Sequence, residues 1–154
     1  MKGLAPQTAA IFEAVSRLEC LRPYFLVGGT ALSLQLGTRL SEDLDFMSWR
    51  KSRNEKREVD WPAIQKMEVL LRRSRFRDYY DFYSLLQHGI ELGPMIDLAL
   101  KYSGHRLKRK NLIAMLTNGT RFALSGDFAN LQPIYEVTPQ DIEMTLRSRL
   151  LPTD

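Results

Sequence analysis

The apolar positions of this chain alternate between a helical and a strand period. Ile11, Val15 and Leu18 recur at helical spacing with Phe12 widening the stripe, which predicts a helix over 7–20 that ends before Arg22-Pro23. Residues 24–27, YFLV, predict a short buried strand, and residues 30–36 a helix stopped by Gly37. Over 43–47, Asp43 and Asp45 alternate with Leu44 and Phe46, the period of a second strand. The run RKSRNEKRE, Arg50 to Glu58, has no apolar position and predicts an exposed loop or frayed helix. Helical spacing resumes after Trp61-Pro62 with Ile64, Met67, Leu70 and Leu71. It continues over 77–88, where Phe82, Leu85 and Leu86 share a face and Gly89 follows, then over 94–102 and 107–117. Residues 120–137 carry no clear period. Thr138 as N-cap and Pro139 as first residue open a last helix with Ile142, Leu146 and Leu150 on one side. The pattern predicts a single α+β domain of 154 residues, a small mixed sheet with a helical C-terminal half, and no internal repeat.

Composition narrows the chemistry. Apolar residues make up 44% and charged residues 26%, ordinary for a globular protein. The net charge of +4 and a pI near 9.3 admit an anionic partner such as a nucleotide or RNA without requiring one. A single cysteine, Cys20, excludes a disulfide framework and a cysteine zinc site, and its place at the end of an amphipathic helix predicts a small buried apolar group. Only His88 and His105 could supply imidazole, so a metal should be hard and oxygen-liganded. His105, in SGHRLKRK, reads as a surface residue. No apolar run approaches the roughly 20 residues of a membrane span, and MKGLAPQTAA lacks a signal-peptide hydrophobic region. A cytoplasmic protein, with no membrane partner, is the expectation.

Candidate chemistry concentrates between Phe25 and Phe46. A strand there runs into the turn Gly28-Gly29-Thr30, a helix follows, and the next strand carries both aspartates. Glycines without Cβ atoms let a ligand approach backbone N–H groups, and the positive end of the helix favours a phosphate. On a strand, Asp43 and Asp45 share one face, so both carboxylates could converge on Mg²⁺ or Mn²⁺. The same residues also fit a tight turn followed by an edge strand with solvated acids. The string GGTALSLQLGTRLSEDLDF resembles the first motif of DNA polymerase β-like nucleotidyltransferases, and within them the AbiEii/AbiGii toxins of type IV toxin–antitoxin systems. Arg39 and Ser41 stand where that family has them.

A second block resembles the same family: Lys66, then the basic run Arg72 to Arg77, then Asp78-Tyr79-Tyr80-Asp81. Read alone, Asp78 and Asp81 at i, i+3 fit a capping residue and a solvated acid on one helix face. The resemblance implies instead that Lys66 contacts triphosphate oxygens and that Asp78 and Asp81 face the cleft. Tyr79, Tyr80, Phe82 and Tyr83 could stack on a base, although the helical spacing of Phe82 and Tyr83 favours the core. Basic clusters at Arg50–Arg57, Arg72–Arg77 and Arg106–Lys110 fit either an RNA footprint or solvated faces.

The resemblance implies a Mg-dependent nucleotidyltransferase that binds a nucleoside triphosphate through Gly28, Gly29, Thr30, Arg39, Ser41 and Lys66. Asp43 and Asp45 would hold metal, the acceptor would be RNA, tRNA above all, and an antitoxin would be the partner. It falls into two parts of one domain, 1–61 with the Gly-Gly-Thr and Asp-x-Asp motifs and a helical 62–154. The family's middle strands, which would hold a third carboxylate, are not recognisable between them. Two strands alone are marginal. The chain is therefore expected either to break between Trp61 and Met67, its two sides farther apart than a peptide bond allows, or to be continuous with its two strands completed by a partner protomer or a further strand such as Ile134–Val137. The alternative function is a catalytically impaired remnant that binds nucleotide, RNA or a partner protein.

Overall fold

A computed structural model describes residues 2–48, 75–102, 107–122 and 127–151. Lys66, His105 and the helix expected after Trp61 lie outside the described residues, as do the whole Arg50–Arg57 cluster, Arg72, Arg73 and Arg106. Two strands and six α-helices are present among the described residues: α1 Pro6–Val15, β1 Tyr24–Val27, α2 Gly28–Leu36, β2 Asp45–Ser48, α3 Phe76–Gln87, α4 Leu92–Tyr102, α5 Arg109–Leu116 and α6 Pro139–Leu150. The α+β expectation holds. β1 and β2 pair antiparallel, from Tyr24 opposite Ser48 to Val27 opposite Asp45, and an isolated parallel bridge joins Leu4 to Ser41. Ile134–Val137 is not a strand.

α3 is the centre of the core. Phe76, Tyr79, Tyr80, Phe82 and Leu85 are all buried, so the helix is covered on nearly every side, which its mixed sequence does not announce. α2 and α6 pack against it, and α4 and α5 pack on α6. Tyr79 and Tyr80 are therefore core residues and not base-stacking platforms. The Tyr79 ring stacks on Phe122 with centroids 3.8 Å apart, and its hydroxyl donates to the Met115 carbonyl. Tyr80 packs edge-on against Phe128, donates to the Thr38 carbonyl at 2.9 Å and accepts from the Tyr135 backbone N–H. Burial pushes the Tyr80 phenol above its ordinary value, which keeps it a donor. Tyr83 is partly buried against the core and meets Tyr135 edge-on.

The irregular stretch after α5 earns its place through such contacts. Short 3₁₀ turns at Gly119–Arg121 and Phe128–Leu131 present Phe122, Phe128 and Leu131 to α3 and its neighbours. Its backbone also binds the loop after α2: Leu40 N–H donates to the Leu131 carbonyl, and Ile134 N–H to the Thr38 carbonyl.

The N-terminal elements depart from expectation. The first helix stops at Val15, and Leu18 is extended before a 3₁₀ turn at Glu19–Leu21. Its apolar stripe is only half covered, with Ile11 56% exposed and Phe12 and Val15 half-buried, and Cys20 is exposed rather than buried. β1 is likewise exposed except toward Val27, Phe25 being 55% exposed. The reason is that α1 is anchored through polar groups. Thr8 donates to the Glu42 carbonyl, and Gly3, Ala5 and Ser41 exchange backbone hydrogen bonds. Gly3, at φ +93°, lies so close to the Ser33 carbonyl that a Cβ would collide with it.

Candidate active site

β1 delivers Val27 to a turn in which Gly28 adopts φ +68°, a conformation that glycine takes without strain. α2 starts there, two residues earlier than expected, and ends at Gly37, φ +64°, in the left-handed cap that its sequence predicts. The Asp45 carboxylate sits over Gly28. A Cβ on that glycine would come within 2.9 Å of Asp45 Oδ2. Gly28 is thus needed twice, for its φ and for the close approach of the carboxylate.

Asp43 precedes β2, so it and Asp45 are not residues of one strand face. They converge through the loop before the strand. The buried Thr30 hydroxyl donates to the Asp43 backbone carbonyl and lies 2.9 Å from the Ser41 hydroxyl. Thr30 and Ser41, expected at the nucleotide, turn their hydroxyls toward each other and toward the loop. Their effect is to fix where Asp43 stands. The Asp43 side chain is 60% exposed, and its Oδ2 accepts from Arg77 Nη2 at 3.2 Å. Gly29, Thr30, Arg39, Ser41, Asp43, Asp45 and Arg77 line one small polar pocket. The structure thus gathers six of the expected residues with Gly28 at their edge, and adds Arg77, which sequence reasoning counted only as part of a basic run.

Arg39 and Asp81 form a buried ion pair, both side chains 3% exposed. Arg39 Nε donates to Asp81 Oδ1 at 2.8 Å and Nη2 to Oδ2 at 2.9 Å, the parallel two-point geometry of guanidinium and carboxylate. Arg39 Nη1 donates to the Leu40 carbonyl. Burial alone would disfavour the Arg39 charge. Attraction and hydrogen bonding from Asp81, with Asp78 and Tyr80 adding to them, outweigh it and raise the guanidinium above its ordinary value. Asp78 is fully buried one turn earlier on α3. Asp81 therefore faces Arg39, and the two clamp the pocket loop to the core helix.

Two exposed carboxylates beside backbone amides fit a hard divalent ion that completes its shell with substrate phosphate and water, since Mg²⁺ is commonly held by one or two carboxylates plus phosphates. Among the described residues no group of three or more His, Cys, Asp or Glu side chains forms a metal cage. No helix there is long and apolar enough to cross a membrane.

A turn, two carboxylates and a basic residue thus gather around one pocket, and the comparison with known families gives the class of protein. The family model of the nucleotidyl transferase AbiEii toxin, type IV toxin–antitoxin system, matches residues 11–60 and 63–148. The chain belongs to that family. No curated protein and no solved structure matches it. The family match has its internal gap at 61–62, at the edge of the 62–66 window where the two sequence blocks meet.

Proposed function

We propose that the protein transfers a nucleotide from a nucleoside triphosphate to an RNA acceptor, with tRNA the first acceptor to test, in a Mg²⁺- or Mn²⁺-dependent reaction. The observation that carries this reading is the convergence of Asp43, Asp45, Gly29 and Arg77 on one pocket at the N-terminal end of α2. Asp43 and Asp45 would hold the metal. Once bound, that ion supplies charge neutralisation and alignment of the triphosphate for in-line displacement. The backbone N–H groups of Gly28 and Gly29 donate to phosphate oxygens at the helix end. Thr30 and Ser41 hold the Asp43 loop, and the Arg39–Asp81 pair holds that loop to α3. Lys66, outside the described residues, is the sequence candidate for a further phosphate contact. An antitoxin partner is proposed from the family alone, and a cytoplasmic location from the sequence.

Incubation with each labelled nucleoside triphosphate, Mg²⁺ and total RNA tests the reading. Label should pass to RNA with the wild-type protein. Asp43→Ala and Asp45→Ala should each abolish transfer while unfolding at nearly the wild-type denaturant midpoint, because exposed side chains away from the core contribute little stability. Unfolding of both variants would mark the carboxylates as structural. A second reading follows from the sequence, in which the family's middle strands are not recognisable between the two blocks. In that case Mg-nucleotide binds without transfer, and the same incubation followed by filter binding separates the two.

A further inference from the structure

Arg77 stands apart from the other pocket residues because its charge is directed at one of the two metal carboxylates. It lies in the first turn of α3, its side chain is 20% exposed, and it lines the pocket together with Gly29, Asp43 and Asp45. The contact to Asp43 is single and 3.2 Å long, unlike the two-point contact of 2.8 and 2.9 Å that Arg39 makes to buried Asp81. Asp43 itself is mostly open to solvent, so its charge is compensated at little desolvation cost and the contact is easily exchanged. One carboxylate oxygen cannot serve a guanidinium and a divalent ion equally well, because the two cations repel across the short distance that separates them.

We propose that Arg77 is a switchable triphosphate-binding residue. Without metal it neutralises Asp43. When a divalent ion takes Asp43, the guanidinium is displaced and donates to the triphosphate that arrives with the ion. The planar, five-donor guanidinium suits this exchange, since carboxylate and phosphate present it with the same pair of oxygens. The arrangement makes metal and nucleotide binding mutually reinforcing: the ion frees the arginine, and the nucleotide occupies it. The inference rests on the reading of the pocket as a metal–triphosphate site.

The test uses Arg77→Ala and Arg77→Lys in the full chain, with binding of Mn²⁺ alone and of Mg-ATP measured by calorimetry and thermal melts as a control on folding. Removing a positive charge beside the carboxylate should raise affinity for Mn²⁺ alone by about tenfold in Arg77→Ala. The same variant should lose about tenfold or more in Mg-ATP affinity, as expected for one charge-assisted phosphate contact, while adenosine binding is unchanged. Arg77→Lys should fall between the two, since a point charge makes one contact where the guanidinium makes two. Opposite movement of the two affinities is the result that a merely structural arginine cannot produce. Mn²⁺ affinity that falls or stays level, or Mg-ATP affinity that survives in Arg77→Ala, overturns the proposal and leaves the pocket assignment standing. Absence of binding of all four Mg-nucleoside triphosphates, ATP, GTP, CTP and UTP, to the wild-type protein overturns both.

Discussion

Arg39 and Asp81 show how a charged pair beside a pocket can be engaged in the internal structure of the protein. Both are buried, and each is the other's main compensation. Asp81→Asn leaves the Arg39 charge inside the protein with a neutral neighbour, and Arg39→Ala leaves the carboxylate there instead. Each single change should cost about 3–5 kcal/mol, read as a lowered urea midpoint. The double variant Arg39→Met/Asp81→Leu should recover much of that loss, because replacing a buried pair by apolar residues of similar volume is often neutral. If the singles cost no more than surface changes, the pair is not a clamp. Sequence alone could place Arg39 beside the motif but could not tell a ligand contact from an internal ion pair, since both use the same residue at the same spacing. Arg77 has the converse history. It was legible only as one more charge in a basic run, and only the fold brings it to Asp43.

At the scale of single elements, the sequence was most informative where local chemistry decides the backbone. Gly37 ends α2 in the left-handed conformation, and Thr138 begins α6 with a reciprocal capping box to Asp141. The Thr138 hydroxyl and backbone N–H both donate to Asp141 Oδ2, and these bonds hold the carboxyl below its ordinary value. A depressed folded value contributes stability above the unfolded carboxylate value of about 4 and loses it as pH falls through the folded value. Thr138→Ala should therefore lower the urea midpoint at neutral pH, with the gap to wild type narrowing on acidification well below the ordinary carboxylate value. Urea titrations at the two pH values measure this, and a gap that widens in acid would contradict it. Where tertiary packing decides, the sequence misled. Ile11, Val15 and Leu18 read as one stripe, but α1 is attached through Thr8 and the Leu4–Ser41 bridge, which leaves Ile11 and Leu18 exposed and Val15 half-buried. Asp78, readable as a capping residue, and Asp81, readable as a solvated acid, are both buried because α3 is surrounded by Phe122, Phe128 and α6.

Across the whole molecule, the α+β class and the Gly28–Asp45 constellation were legible because a glycine turn and paired aspartates announce themselves over a short stretch. The joining of that stretch to the helical core was not, because every joining bond spans a long separation in sequence. Arg39 reaches Asp81 across 42 positions, Tyr80 meets Thr38 across 42, and Tyr135 meets Tyr80 across 55. These separations carry a kinetic consequence. The loop at Thr38–Ser41 can dock only onto groups that a formed α3 presents, Tyr80 and Asp81, and only after long chain closures, whose entropy is lost before any contact is gained. The transition state for folding should then contain the helical core with the pocket loop still undocked. Tyr80→Phe, which removes only the hydroxyl tie to Thr38 and Tyr135, should leave the refolding rate nearly unchanged and speed unfolding, giving a φ-value near zero. Leu146→Ala in the core of α6 should slow refolding instead. Stopped-flow chevrons of the two variants distinguish these outcomes, and equal φ-values would place the docking of the loop inside the nucleus. The pocket would then be the last part of the protein to form and the first to open, so that the site exists only on a finished scaffold.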